Sequence, residues 1–216
     1  MPLKVQLGIS TAQIAYAEAI LAEVRNGAST ALRTATNEAL TRFRTKLVNM
    51  LNEEHLAKKG EIRDRVRVSS KAVGTEYGGA VTVDYGQVPI IDFKTRFTKK
   101  AGAKVQMLAS EPMQVFKHAF KSTMNSGHTG GFQRKFGAEN VAPQSGSYKN
   151  RRIKRGLRKG QFLKRQPIKE LFGTPVVRVF DIRPKLTDEA TEQLGELFSA
   201  SLDRKIKWQL DKAAAK

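Results

Sequence analysis

The chain has 216 residues, enough for one hydrophobic core of ordinary size, and its 40% apolar content fits a globular protein. Lys and Arg number 39 against 20 Asp and Glu, so the formal charge of +19 predicts an attraction to polyanions: nucleic acid, an acidic protein surface or an anionic membrane. The absence of cysteine excludes disulfides and thiolate metal sites, and no apolar run predicts a signal peptide or a membrane span. We therefore expect a soluble protein that is made in the cytoplasm.

The first sixty residues predict two helices. Ser10 and Gln13 have the spacing of a capping box, and apolar residues follow at helical intervals up to Val24. Asn26-Gly27, a pair suited to positive φ, predicts the end of this helix. A longer helix follows and ends before Lys58-Lys59-Gly60; its apolar stripe consists of Ala28, Leu32, Ala35, Ala39, Phe43, Leu47 and Leu51. Such a stripe is usually core packing, with a subunit interface as the alternative interpretation.

The middle of the chain predicts a small, mostly antiparallel sheet. The period of the apolar pattern changes to two after Arg65, and Gly78-Gly79 and Lys100-Ala101-Gly102 mark turns. The predicted strands cover 66–68, 81–83, 96–97, 105–108, 115–120 and 130–136. Because Pro89 lacks a backbone donor, we expect 89–93 to be an edge or lead-in segment.

The composition changes sharply after residue 136. Residues 137–160 are rich in Gly, Ser, Asn, Lys and Arg, so we expect a mobile loop over 137–165. Between 149 and 169 there are ten basic residues and no acidic one. We predict that a partner or DNA phosphates bind Lys149, Arg151, Arg152, Lys154, Arg155, Arg158, Lys159, Lys164 and Arg165. Few aromatic residues accompany these cations, so we expect contacts with phosphates rather than with bases.

Residues 162–180 join this loop to a C-terminal helix. Pro167 and Pro175 disfavour helix in the residues before them, and Gly173 predicts a break at positive φ. A buried loop between a sheet and a helix is the simplest interpretation. Thr187-Asp188-Glu189 then predicts a capped helix start with acidic residues in the first turn. The apolar stripe of this helix consists of Leu194, Phe198, Leu202 and Ile206.

The sequence does not support catalysis. His55, His118 and His128 are too scattered to predict a metal site, and residues 127–131 lack the Gly-Lys-Ser/Thr ending of a phosphate-binding loop. Asp84, Asp92 and Glu111 leave the hypothesis of a Mg²⁺-dependent nuclease, but no acidic pair and lysine stand at the strand spacing that such an enzyme needs. We therefore expect no enzyme activity, no cofactor and no bound metal.

One pattern in the junction resembles a known family. The spacing Pro-Ile-x-x-Leu-x-Gly-x-x-Val is filled by Pro167, Ile168, Leu171, Gly173 and Val176, with Pro175 inside it. It resembles the minor tail protein Z family, the tail completion proteins of long-tailed bacteriophages. Further similar segments occur in the family's order at 35–39, 61–66, 88–93, 116–120 and 131–135, so the resemblance covers roughly residues 28 to 210. The 137–160 stretch is longer and more basic than in the family.

The resemblance implies a structural virion protein located in the tail or neck. Such proteins cap the head-proximal end of the tail and help join it to the head connector. The implied partners are the tail terminator, the tail tube and the head connector, and the implied assembly is a homo-oligomeric ring, expected to be a hexamer, around the DNA channel. Nonspecific contact with genomic DNA fits this setting, and contact with a membrane does not.

The alternative hypothesis is a nonspecific nucleic-acid-binding protein that contacts phosphates through 149–169. For either function we predict an α+β fold in one domain spanning 1–216. Its parts are a helical region (1–60), a sheet-rich region (61–136), the basic loop (137–165), and the junction with the C-terminal helix (166–216).

Overall fold

The computed structural model describes residues 3–124, 126–134, 152 and 167–215. These residues form five α-helices, nine β-strands and a short 3-10 helix, which confirms the predicted α+β class. They group into two compact units. Unit 1 comprises Met1–Gly86 and Pro175–Lys216, and unit 2 comprises Gln87–Thr174. The organisation as a single domain stays a prediction.

The sheet of unit 1 has three antiparallel strands. They are β1 (Leu3–Leu7), β2 (Val66–Ser70) and β3 (Gly79–Val83), in the order β1-β3-β2. Val5 of β1 and Val68 of β2 both pair with the fully buried Val81 of β3. The predicted strands at 66–68 and 81–83 are thus confirmed, and β1 is an additional strand that the sequence reasoning missed.

The first helix, α1, spans Thr11–Ile20 and has the predicted capping box. The Ser10 hydroxyl accepts a hydrogen bond from the Gln13 backbone, and the Gln13 side chain accepts one from the Ser10 backbone. The prediction for Asn26-Gly27 was wrong, because α1 ends earlier and Asn26, at φ 57°, immediately precedes α2 (Gly27–Glu54). The pair therefore starts the second helix after a short turn.

Two long helices form the core of unit 1. The predicted stripe of α2 is buried from Leu32 to Leu51, and it packs against α5 (Leu186–Ala214). The predicted stripe of α5, from Leu194 to Ile206, is also buried. Such packing of apolar stripes is the main source of helix stability in a folded protein.

The start of α5 differs in part from the prediction. Thr187 lies inside the helix, and the N-cap is Lys185, whose side chain makes no capping hydrogen bond. Asp188 and Glu189 do lie in the first turn, as predicted. Two short helices, α3 (Lys59–Arg65) and α4 (Arg178–Ile182), complete unit 1.

The described residues of unit 2 form two further antiparallel sheets of three strands, whereas we expected one small sheet in the whole chain. The first has the order β4 (Arg96–Thr98), β5 (Gly102–Val105), β6 (Gln114–Phe116), and the second the order β7 (Phe120–Thr123), β8 (Thr129–Arg134), β9 (Ile168–Glu170). β9 is a second strand that the sequence reasoning missed.

Three predicted strands of unit 2 have different bounds. The strand expected at 105–108 was wrong except at Val105, the last residue of β5; beyond it the Gln106 side-chain amide donates to the carbonyls of Ala109 and Glu111 in a local turn. The strand expected at 115–120 is divided between β6 and β7 by a turn in which His118 has φ 60°. The strand expected at 130–136 begins at residue 129, and its last two residues lie outside the described part.

The remaining expectations concern 89–93 and the basic loop. Ile90–Asp92 forms a 3-10 helix, so the extended segment that we expected is reduced to a single bridge between Pro89 and Phe172. The loop expected at 137–165 lies outside the described residues except for Arg152. Within the described helices, none has the length and apolar character that crossing a membrane requires.

Candidate functional site

The junction motif is partly buried. Leu171 and Gly173 are buried, and Pro167 and Pro175 are half-buried. We expected the apolar residues of the junction to be inside, but Ile168 is 39% exposed because it lies on β9, an edge strand of its sheet. The chain passes from unit 2 to unit 1 between Thr174 and Pro175.

Backbone hydrogen bonds connect the junction to two other segments of unit 2. The Ile90 N–H donates to the Leu171 carbonyl at 3.1 Å, and the Leu171 N–H donates to the Gly131 carbonyl at 2.8 Å. The Gly173 N–H donates to the Val88 carbonyl at 2.7 Å. Segments 88–93, 131–134 and 167–174 therefore form one hydrogen-bonded group, which we call the junction cluster.

Gly173 is required for a different reason from the one that we predicted. The described glycines with positive φ are Gly74, Gly102 and Gly127, so Gly173 is not among them. A Cβ at Gly173 would lie 2.7 Å from Cε2 of Phe93 and 3.0 Å from Sδ of Met107. The close approach of these two buried side chains, rather than the backbone conformation, explains the glycine.

The predicted basic site falls almost entirely outside the described residues. Of its nine members only Arg152 is described, and it is exposed; Lys149, Arg151, Lys154, Arg155, Arg158, Lys159, Lys164 and Arg165 lie outside.

The formal charge of the chain is concentrated in unit 2. Of the 39 basic and 20 acidic residues, 19 and four fall within 87–174, which gives unit 2 a formal charge of +15 out of +19.

The three histidines have separate environments. His55 is fully buried at the C-terminal end of α2, whereas His118 and His128 are exposed. His128 lies in the turn between β7 and β8, and its Nε2 is 2.8 Å from Oε1 of Glu170. In the described ranges, no group of three or more His, Asp or Glu side chains is arranged to hold a metal ion.

The carboxylates of the nuclease hypothesis lie on separate elements. Asp84 directly follows β3, Asp92 ends the 3-10 helix, and Glu111 lies in the turn after β5. Asp84 belongs to unit 1, whereas Asp92 and Glu111 belong to unit 2, and the nuclease hypothesis stays untested.

A charged cluster that the sequence reasoning missed joins α2 to α5. The carboxylate of Glu38 is 2.9 Å from Arg42, 2.9 Å from Arg204 and 3.0 Å from Lys205. The hydrogen bond from Lys205 and the nearby positive charges lower the pKa of Glu38. The i, i+4 spacing of Glu38 and Arg42 is visible in the sequence. The contacts of Glu38 with Arg204 and Lys205 on α5 are not, because these residues are distant in the sequence.

A cleft of about 280 Å³ lies beside α2 and α3, and it is lined by Arg44, Thr45, Val48, Lys59, Gly60 and Arg63. Arg44 donates to the Val66 carbonyl at 2.7 Å and to the Arg63 carbonyl at 2.9 Å. These bonds tie the end of α3 to α2, so we interpret Arg44 as a structural residue.

We compared the chain with protein-family models, with curated proteins and with solved structures, and none of the three comparisons finds a match.

Proposed function

We propose that this chain is a structural virion protein of a long-tailed bacteriophage. It acts as a tail completion or neck component, which caps the head-proximal end of the tail and helps join it to the head connector. Several copies assemble as a ring, expected to be a hexamer, around the channel through which the DNA passes.

The junction cluster is the observation that carries this proposal. The segments 88–93, 131–135 and 167–176 each resemble the minor tail protein Z family, and they are far apart in the sequence. In unit 2, the described residues of 88–93 and of 131–134 are nevertheless each hydrogen-bonded to the junction. Contact between these three segments is what a shared fold would produce, and it supports the proposal, although the resembling segments 35–39 and 61–66 lie in unit 1 and take no part in the cluster.

The distribution of charge is compatible with the same role. A formal charge of +15 on unit 2 favours a position beside DNA phosphates or an acidic neighbouring ring. Neither neighbour requires a metal site or a catalytic group.

Complementation in a phage that encodes this chain tests the proposal. A nonsense mutation early in the gene should produce filled heads and full-length tails that remain unjoined when viewed by electron microscopy. Purified protein added to that lysate should restore tailed, infectious particles, and buffer alone is the matched control. Normal tailed particles in the absence of the protein would contradict a role in head–tail joining.

The second candidate function, nonspecific nucleic-acid binding through 149–169, rests on the ten basic residues of that segment. Light scattering of the nuclease-treated protein at low and high salt separates the two functions. A discrete oligomer that is free of nucleic acid and persists in salt favours the ring. A monomer that carries nucleic acid and releases it as the salt concentration rises favours the alternative.

A further inference from the structure

The hairpin formed by β4 and β5, together with Lys94 just before it, carries five exposed cations within the described part of unit 2. We call this group the basic hairpin; it consists of Lys94, Arg96, Lys99, Lys100 and Lys104. Within the described residues, none of the five side chains forms an ion pair. Several cations of unit 1, in contrast, are paired with carboxylates such as Glu38.

The strand register brings like charges together on one face of the hairpin. Arg96 lies directly opposite Lys104, and both are exposed, whereas the neighbouring Ala103 and Val105 are buried. Like charges directly opposite each other on adjacent strands are destabilising. An anion bound over this face would remove the repulsion.

The turn of the hairpin is held in a fixed conformation. The Thr98 hydroxyl accepts a hydrogen bond from the Ala101 N–H at 3.2 Å and donates one to the Gly102 carbonyl at 3.3 Å. Gly102 has φ +85°, and a Cβ there would overlap the Phe116 carbonyl oxygen. The cations at the turn are therefore carried by an ordered backbone, which lowers the entropy cost of binding.

The residue types favour a nucleic-acid backbone over an acidic protein. Four of the five cations are Lys, a residue that is depleted in protein–protein interfaces. The aromatic residue of β4, Phe97, is half-buried, and it alternates with the exposed Arg96 along the strand. Among the described residues of the hairpin, the exposed face thus offers no ring on which an unpaired base could stack, so a duplex is a better ligand than a single strand.

From these observations we infer that the basic hairpin binds the phosphate backbone of a duplex nucleic acid. Alternate residues of a strand are about 6.6 Å apart, and duplex DNA carries one charge per roughly 1.7 Å of its axis, so phosphates are available to each cation. This inference goes beyond the proposed function, because it assigns the contact to particular described residues and does not depend on a role in a phage tail.

Fluorescence anisotropy tests the inference with a labelled 20-base-pair DNA duplex and an RNA duplex of the same sequence. The test variant combines Arg96→Gln, Lys99→Gln, Lys100→Gln and Lys104→Gln. The matched control changes four exposed cations of unit 1 to Gln, which alters the net charge equally; they are Arg33, Lys46, Lys71 and Lys207. Binding is measured between 50 and 300 mM KCl, and circular dichroism verifies that both variants are folded.

We expect the slope of log K against log salt to become shallower by about 3 to 4 in the test variant, because each lost phosphate contact contributes about 0.9. The control should change the slope by less than about 1. A loss with both duplexes identifies the shared phosphodiester backbone as the ligand, and a loss with one duplex identifies that nucleic acid. Equal slopes in the test variant and the control would overturn the inference.

A second variant is used if the four substitutions together disturb folding. Lys99→Glu with Lys100→Glu alters the turn alone and should weaken duplex binding more than Lys46→Glu with Lys71→Glu.

If the test variant binds both duplexes like the control but fails to restore head–tail joining, the hairpin contacts a protein instead. That result would overturn the inference and leave the proposed function intact.

Discussion

Gly173→Ala provides a direct test of how the junction cluster is packed. The new Cβ would lie 2.7 Å from Cε2 of Phe93, whereas carbon atoms pack best at about 3.5 to 4.0 Å. The Phe93 ring would have to move by roughly 1 Å, and it is only 5% exposed. Overpacking of this kind costs about 1–3 kcal/mol, and replacing glycine returns about 0.4–1 kcal/mol through the unfolded chain.

The difference between the midpoints of these two ranges gives an expected net loss of about 1.3 kcal/mol in the free energy of unfolding. For a chain of this size, that loss lowers the Tm by about 3–5 °C, which differential scanning calorimetry measures easily. Gly195→Ala is the matched control, because Gly195 lies inside α5 and a Cβ there would meet nothing within 4 Å. We expect that control to raise the Tm, since alanine is the better helix former.

A double mutant distinguishes packing from backbone strain. Phe93→Leu removes the two ring atoms that the Cβ at position 173 would meet, so it should recover about 1 kcal/mol of the Gly173→Ala loss in a double-mutant cycle. If the two substitutions change the free energy of unfolding additively, the packing explanation is refuted. A Gly173→Ala variant as stable as the parent would refute the whole account of the junction.

Two further predictions concern unit 1. Because the pKa of Glu38 is lowered, its ionised form stabilises the protein above its usual pKa of 4.5, and this contribution is lost as the pH falls through the lowered value. The Tm difference between the parent and Glu38→Gln should thus be largest at pH 7 and shrink as the pH falls below 4.5; a difference that stays constant would rule out the ion-pair explanation. Ser10→Ala removes the cap of α1 and should cost about 1 kcal/mol in urea unfolding, whereas Ser10→Asp should keep most of that stability.

Local patterns predicted the elements whose evidence lies within a few residues. The capping box of α1 and the apolar stripes of α2 and α5 were correct because each depends on short, regular spacing. β1 had a usable signal as well, since Leu3, Val5 and Leu7 alternate with polar residues in the order that a half-buried strand requires.

The remaining features depend on partners that are distant in the sequence. β9 has only three residues, and its partner β8 lies more than 30 residues earlier in the sequence. The role of Gly173 depends on Phe93 and Met107, and no local pattern connects these three positions. The like-charge pair of Arg96 and Lys104 likewise requires the register of β4 and β5.

Unit 1 consists of two chain segments that are separated in the sequence by unit 2, and this has a consequence for synthesis on the ribosome. About 130 residues separate the end of α2 from the start of α5, and at 5–20 residues per second their translation takes roughly 7 to 26 seconds. During that time the apolar stripe of α2 lacks the helix that covers it. Unit 2 is continuous in sequence, so it can fold while unit 1 is still incomplete. Until the last helix emerges, the part of this stripe that α5 covers is open to other apolar surfaces, including those of chaperones.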